Sequence, residues 1–342
     1  MTGMTQTSEA VVIRAYGEPD QLQLEQVPTP EPSAGQVLVE VEAAGVAYAD
    51  VLMRRGIYPE TPRVPFTPGY DLVGRVLATG ADVPHLRVGD RVAALTVTGA
   101  NATHAVADAS LTVKVPAGLG APEVCALVLN WVTARQMLHR IATVPSEGSI
   151  LVHGAAGGVG TALLELAQAH DVRAYGSASG ERTQAVVARG GIPIDRRERD
   201  VIAEVLQREP GGVDATFDAI GGTHLHRSRT ATGREGTVVS YGVSFGVDAG
   251  HGRSGTLVRQ AVALTRARLT RGATISLYVI AGPRGYATRH PGHFREDLEA
   301  LIEQLAQGRI HPEVTVMSLR EAAAAHSALE GGQVTGKLVL VP

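Results

Sequence analysis

Apolar and polar positions along the first third of the chain alternate, or gather into short runs, in the manner of β-strands. Val11–Ala15, Gln21–Gln26 and Gln36–Ala44 carry this pattern, and the turn-rich stretch Pro28–Gly35 separates the last two. Leu72–Thr79 and Arg91–Leu95 continue it, with Gly89-Asp90 as a turn signal between them. The period changes near residue 120, where Pro122–Arg140 takes on helical spacing. Strand and helix patterns then alternate. Ser149–His153 is a short apolar run, Thr161–His170 a helix with Leu163, Leu164, Leu166 and Ala167 on one face, and Val172–Gly176 a second strand. Gly180–Arg189, Ile192–Ile194, Asp200–Arg208, Ala215–Ala219, Thr237–Tyr241 and Ala273–Tyr278 extend the series. Such alternation predicts a doubly wound parallel sheet. The tail breaks it, with amphipathic helices at Phe294–Gln307 and Arg320–Leu329 and a strand at Lys337–Val341. Because the doubly wound unit is complete by then, the tail is assigned to the β-rich first domain. The expected division is 1–126, 127–280 and 281–342, with the middle segment forming the α/β domain.

Composition narrows the picture. At 342 residues and 44% hydrophobic content the chain supports two cores. A formal net charge of −3 offers no general attraction to nucleic acid or to an anionic membrane. Forty glycines and only 4% aromatic residues suit an α/β protein rich in tight turns. Cys125 is the single cysteine, so neither an internal disulfide nor a site built from several thiolates is possible. The polar start Met1–Ala10 has no secretory h-region, and no uncharged run reaches the ~20 residues of a membrane span. A cytoplasmic location is the default expectation.

The sharpest local signal is Ser149-Ile-Leu-Val-His-Gly-Ala-Ala-Gly-Gly-Val-Gly-Thr161. A strand runs into Gly154, Gly157, Gly158 and Gly160, and a helix follows at once. Glycines there allow a tight turn and close approach of the backbone to a pyrophosphate, while the helix start presents unpaired N–H groups. In strand–loop–helix context this predicts dinucleotide binding.

From these residues the chain resembles the quinone oxidoreductase branch of the medium-chain dehydrogenase/reductase superfamily. Ala44–Pro59 is similar to that branch's first active-site segment, followed in order by Pro65–Asp71, Val88–Val92, Ala155–Gly160, Phe217–Gly222 and Thr335–Leu340. The resemblance implies a Rossmann domain inserted into a twisted, partly barrel-like GroES-like domain, with nicotinamide and substrate in the cleft between them. It implies cofactor contacts from Ala156, Gly157, Gly158, Val159 and Gly160, from Ile220, Tyr241, Gly242 and Lys337, and from Asn130 and Thr133 on the connecting helix. Asn130 could equally be a helix-surface amide.

Alcohol-dehydrogenase relatives hold a catalytic Zn²⁺ on Cys, His and a further Cys or acid. Positions resembling the first two ligands are Tyr48 and Tyr70, and only Thr96–His104 stands where a structural zinc lobe would sit. The pairs His224/His226 and His290/His293 have no acid or thiol at ligand spacing and are read as solvated histidines. No metal is expected. Without a Lewis acid, hydride delivery to an electron-poor acceptor is favoured over alcohol oxidation. Tyr48, Asp50, Tyr58 and Tyr70 are the candidates to stabilise or protonate the acceptor oxygen, although each tyrosine could be a core ring and Asp50 could order backbone. Relatives carry Asn at the position of Ala47, so the usual substrate pose is altered here.

NADPH is expected over NADH. The strand Val172–Gly176 ends in glycine where NAD-specific domains place an acid, and Ser177, Ser179 and Arg182 follow. Arg182 is similar to the family position where Lys or Arg meets the 2′-phosphate, while Glu181 fits a helix start. An enoyl-thioester reductase is the nearest alternative, weakened because Gly242–Phe245 and Leu277–Ile280 lack the Lys–Asp pair common in those relatives. A non-catalytic nucleotide-binding scaffold is another. The basic segment Thr256–Arg271, with Arg259, Arg266, Arg268 and Arg271, reads as a solvated helix face. The apolar run Ala273–Ile280 reads as an edge strand and suggests a homodimer joined through the Rossmann domains.

Overall fold

A computed structural model describes residues 7–242 and 272–342, together with scattered helical positions between 255 and 265. Most of the basic segment Thr256–Arg271, and residues 243–245 of the Gly242–Phe245 stretch, lie outside the described residues. The chain divides into two units: Met1–Val132 with Ile280–Pro342, and Thr133–Val279. In chain order the described strands are β1 (Thr7–Ile13), β2 (Leu22–Pro28), β3 (Gln36–Val46), β4 (Asp71–Thr79), β5 (Arg91–Leu95), β6 (His104–Asp108), β7 (Thr112–Lys114), β8 (Ser149–His153), β9 (Arg173–Ala178), β10 (Ile192–Asp195), β11 (Val213–Asp218), β12 (Thr232–Ser240), β13 (Thr274–Leu277), β14 (Val314–Ser318) and β15 (Lys337–Val341).

The first unit is built around β3. Its sheet runs β14-β15-β3-β4-β5-β7, and β6 also pairs with β3. Register shifts at Leu38/Val39 and Val41/Ala43 bend β3, which lets one strand serve several partners. Val37, Val39 and Val41 turn inward to meet Leu72, Val76 and Val92, while Glu40 faces out. The tail closes this unit, as β15 lies antiparallel to β3 through Leu338↔Val46 and Leu340↔Ala44. Three strands here escape the hydropathy pattern. The inward positions of β6 are alanines, β7 has only three residues, and β14 is a largely exposed edge. The helix Tyr48–Arg54 escapes it too, because Asp50 and Arg54 are buried along with Val51, Leu52 and Met53 and leave no polar face.

The second unit is the expected parallel sheet, in the order β10-β9-β8-β11-β12-β13. All five pairings are parallel. Helices Gly158–Ala169, Thr183–Val187, Val201–Arg208 and His224–Ala231 intervene. Asp200, expected as the first helical residue, is instead the N-cap and accepts from the Ile202 and Ala203 amides at 2.9 and 3.2 Å. Strand β12 starts at Thr232, five residues before the expected Thr237, because Gly233 and Gly236 dilute its apolar pattern. Strand β13 is an edge among the described residues, with Leu277 51% exposed.

Among the described residues two histidines, His153 and His326, are buried as neutral rings. His326 in the first unit is fully buried, and burial together with Arg54 pushes its pKa down to about 3. Its ring nitrogens have no hydrogen-bond partner among the described residues. A histidine whose folded pKa lies below its unfolded value contributes stability that is complete above the unfolded pKa and is lost as pH falls. Between pH 7 and pH 5 this single group is expected to remove about 2 kcal/mol. Urea unfolding of the native chain and of His326→Gln at both pH values checks it. An equal pH dependence in the two proteins would refute the assignment.

Candidate active site

The glycine loop is a turn built by close backbone contact. Strand β8 ends at His153, Gly154 takes a φ of 69°, and the helix opens at Gly158 with Gly157 as an N-cap that has no side-chain acceptor. The first amides of this helix, from Gly158, Val159 and Gly160, lack carbonyls one turn earlier and present a positive pole. A side chain on Gly160 would place its Cβ 2.5 Å from the Gly154 carbonyl oxygen and 2.7 Å from the Ala155 Cα. The loop therefore fits a pyrophosphate group: open amides, no competing cap, and a backbone drawn tight.

Cationic groups flank it. Arg182 Nη2 donates to the Ala156 carbonyl at 3.2 Å, which places the guanidinium over the loop. Burial, with Arg196 nearby, lowers its pKa from the ordinary arginine value. Arg196 follows β10 and donates its amide to the Ala178 carbonyl at 3.0 Å, while the Gly180 amide donates to Asp195 at 2.9 Å. Arg196 had no sequence signal, since Asp195-Arg-Arg-Glu-Arg199 looks like a solvated charged turn. Ser179 is half-buried at the start of the same turn. Ser177 is placed differently from expectation. It is 2% exposed, and its hydroxyl meets His153 Nδ1 at 3.3 Å, so it lies in the core and does not face a phosphate. Arg182→Ala is expected to weaken NADPH by about 1.5–3 kcal/mol and NADH by much less. Paired fluorescence titrations with the two cofactors check this, and equal losses would assign Arg182 a structural role.

A polar cluster closes the carboxyl ends of β8 and β11. Asp218 Oδ1 accepts from the Ile220 and Gly221 amides, both at 2.8 Å, and Oδ2 accepts from Ser228 at 2.5 Å. His224 Nδ1 lies 3.1 Å from Asp218 Oδ2, and its ring packs edge-on to His153 with centroids 4.5 Å apart. Burial opposes the Asp218 charge, but His224, His153 and Ser228 outweigh it and hold the carboxyl below its ordinary range. Burial pushes His153 down to about 4 against the pull of Asp218. His224 is thus not the solvated histidine expected; its acid partner lies six residues upstream, outside metal-ligand spacing. Ile220, Tyr241 and Gly242 gather at this end of the sheet, with the Tyr241 amide on the Asp218 carbonyl at 3.0 Å and Gly242 packed on Ala219. Burial, then Asp218, raises the Tyr241 hydroxyl.

In the first unit the Tyr58 and Tyr70 hydroxyls meet at 3.1 Å. Tyr70 is 1% exposed, whereas Tyr58 keeps part of its surface open. Burial raises both hydroxyls above the usual tyrosine value, Tyr70 the more strongly. Tyr48 opens the helix Tyr48–Arg54 and is half-buried. Asp50 takes the backbone-ordering place weighed for it above. It is fully buried and accepts from the Ala47 amide at 2.7 Å and the Gly69 amide at 3.0 Å, tying the helix start to the loop that carries Tyr70. Burial pushes its carboxyl up to about 7 against those amides and Lys337.

Lys337 also departs from its expected place on the cofactor. Its ammonium is 2% exposed and donates to both Asp71 oxygens at 2.8 Å. Burial raises the Asp71 carboxyl, and Lys337 and the Leu129 amide oppose the rise. Asn130 and Thr133 are 8% and 5% exposed, so Asn130 is not a helix-surface amide. Asn130 lies in a wide π turn, Leu127–Trp131, and π turns often accompany functional sites. His290 and His293 stack on each other and beside Tyr286. Among the described residues no three His, Cys, Asp or Glu side chains are grouped to hold a metal, and no helix is long and apolar enough to cross a membrane.

A parallel nucleotide-type sheet and a bulged β unit completed by the chain's tail define a two-unit dehydrogenase architecture. Residues 33–121 match the alcohol dehydrogenase GroES-like domain, and residues 192–340 match the zinc-binding dehydrogenase family. The zebrafish (Danio rerio) synaptic vesicle membrane protein VAT-1 homolog is 32% identical over 98% of this chain and 70% of its own length. A quinone oxidoreductase from Lama guanicoe is 32% identical over 68% of this chain and 72% of its own length. A mycobacterial protein solved in complex with NADPH superimposes with a TM-score of 0.85 at 28% identity, over 98% of this chain and all of that one. The chain belongs to the quinone oxidoreductase-like branch of the medium-chain dehydrogenase/reductase superfamily.

Proposed function

We propose that this chain is an NADPH-dependent reductase that delivers hydride to a quinone or another activated carbon–carbon double bond without zinc. The observation that carries the reading is the uncapped glycine loop with the Arg182 guanidinium set over it and Arg196 beside it. Two cations and no strand-end acid favour a 2′-phosphate over a bare ribose. The NADPH bound by the mycobacterial relative supports the same choice. When bound, NADPH supplies the hydride.

This chain's residues do the rest. The amides of Gly158, Val159 and Gly160 would hold the pyrophosphate, and the turn at Ser179–Arg182 with Arg196 would hold the 2′-phosphate. Tyr70 stands where alcohol-dehydrogenase relatives place a metal ligand, and its hydroxyl is turned to Tyr58. A neutral phenol ligates zinc poorly, so charge on the acceptor oxygen is met by a proton from a tyrosine. Tyr58, the more open member of the pair, is that donor, with Tyr48 next to it in rank.

The test is NADPH oxidation against quinones, free enones and enoyl thioesters, with and without chelator. Turnover of quinones or enones that chelator leaves unchanged is the expected result. Preference for the thioesters would make the chain an enoyl reductase. Nucleotide binding with no turnover on any of the three would favour a scaffold role. A homodimer joined along the exposed edge of β13 is expected as well, since an open strand edge favours pairing with its symmetry mate. A monomer mass by light scattering at every concentration would rule that out.

A further inference from the structure

Asp195 ends β10, level with Ala178 at the end of β9 and beside the turn that carries Arg182. An open carboxylate there would repel a 2′-phosphate, as the strand-end acid of NAD-specific domains does. In this chain each Asp195 oxygen is engaged by a backbone amide. Oδ1 accepts from Arg197 and Oδ2 from Gly180, both at 2.9 Å. The Arg197 contact is local, but the Gly180 contact joins residues 15 positions apart and ties the turn after β10 to the turn after β9. The Arg197 amide, the Gly180 amide and the Arg197 and Arg196 guanidiniums hold the carboxyl below its ordinary range against burial, so it stays ionised at neutral pH.

Both turns depend on this tie. Gly180 takes a left-handed φ of 57°, and its carbonyl accepts from the Thr183 hydroxyl at 2.7 Å. The same turn runs on to Arg182, whose amide donates to the Ser179 carbonyl at 3.3 Å and whose guanidinium reaches the Ala156 carbonyl. On the other side the Arg196 amide is fixed on the Ala178 carbonyl at 3.0 Å. A guanidinium nitrogen of Arg197 lies 3.7 Å from where a Gly180 Cβ would stand. Arg182, Arg196 and Arg197 thus hang on backbone that one carboxylate joins.

We propose that Asp195 is a positioning residue for cofactor choice: it clamps together the two turns that present cations to the 2′-phosphate of NADPH, without touching the phosphate itself. The inference rests on the NADPH reading above. Two effects of the carboxylate oppose each other. Its charge repels a phosphate, an effect that salt and the neighbouring guanidiniums screen. Its two charge-assisted hydrogen bonds hold the cationic turns in place before the phosphate arrives, so less ordering is needed on binding. The second effect is the larger here, because both oxygens are turned to amides.

The two effects predict opposite signs for Asp195→Ala, and binding alone reads them. Fluorescence titration should show NADPH weakened about tenfold and NADH less than twofold. Adenosine 2′,5′-bisphosphate, which carries the 2′-phosphate without nicotinamide, should weaken with NADPH. Asp195→Asn keeps one acceptor oxygen and should recover part of the loss. Amide hydrogen exchange over residues 179–183 of the unliganded protein should quicken in Asp195→Ala. Tighter or unchanged NADPH binding by Asp195→Ala would overturn the clamp, and so would equal losses for NADPH and NADH. A native chain that binds NADPH no better than NADH would instead overturn the NADPH reading. In that case the exchange rates still decide whether Asp195 holds the turn, and unchanged exchange would overturn the clamp as well.

Discussion

Lys337→Met is expected to lower the unfolding free energy by about 3–5 kcal/mol. Lys337 and Asp71 are 2% and 0% exposed at their side chains, and the ammonium satisfies both carboxylate oxygens. Removing the cation leaves a carboxylate in the core with only the Leu129 amide as support. An uncompensated buried charge costs more than the pair contributes, so the loss measures the stranded Asp71 as much as the lost contact. Two further variants separate these effects. Asp71→Asn in the Lys337→Met background removes the stranded charge and should recover a large part of the stability. The Lys337→Met loss should also shrink at acid pH, where Asp71 takes up a proton. Urea unfolding of the single and double variants reads all of this. A Lys337→Met loss below 1 kcal/mol would mean the pair is solvated, contrary to its burial.

Gly160→Val should abolish dinucleotide binding while leaving most of the sheet intact. The colliding atoms are the Gly154 carbonyl at 2.5 Å and the Ala155 backbone at 2.7 Å, and neither can rotate away as a side-chain end would. The loop must open, and the amides that face the pyrophosphate lose their common direction. The loss of NADPH affinity is expected to exceed a hundredfold, about 2.7 kcal/mol or more. Isothermal titration measures it, and a far-ultraviolet spectrum checks the fold. A native Kd would show that the helix start can shift without cost.

The Rossmann unit was legible because its elements are local. Ser149–His153, the glycine loop and the following helix are consecutive, and each is punctuated by glycine. The bulged β unit was legible only in part. Short strands with alanine inside, such as β6, carry little hydropathy contrast, and β14 is an exposed edge. For the candidate site, legibility fell with distance along the chain. Arg182 stands just past the end of the strand after the glycine loop, where the sequence pattern points to it. Arg196 was hidden in a charged turn. Lys337 sits in a Gly-Lys pattern that resemblance assigned to the cofactor, yet its partner Asp71 is 266 positions away and nothing local announces it. Asp50 shows a related ambiguity. An acid in an active-site segment can meet a substrate or cap a helix, and only the Ala47 and Gly69 amides decide for the cap.

The pairing of β15 with β3 has a consequence for how the chain is made. Strand β3 is complete at Val46, but its partner begins at Lys337. At bacterial or eukaryotic elongation rates, roughly 15–60 s separate the two. During that interval the Ala44–Val46 edge of β3 is open and Asp71 has no counter-ion. All six strands of the parallel sheet, β8 through β13, emerge in the meantime. The inserted unit can therefore reach its native sheet on the ribosome, whereas the unit that surrounds it in sequence must wait for Lys337–Val341. Ribosome-stalled chains cut before Lys337 should show a protease-resistant second unit and a protease-sensitive first one.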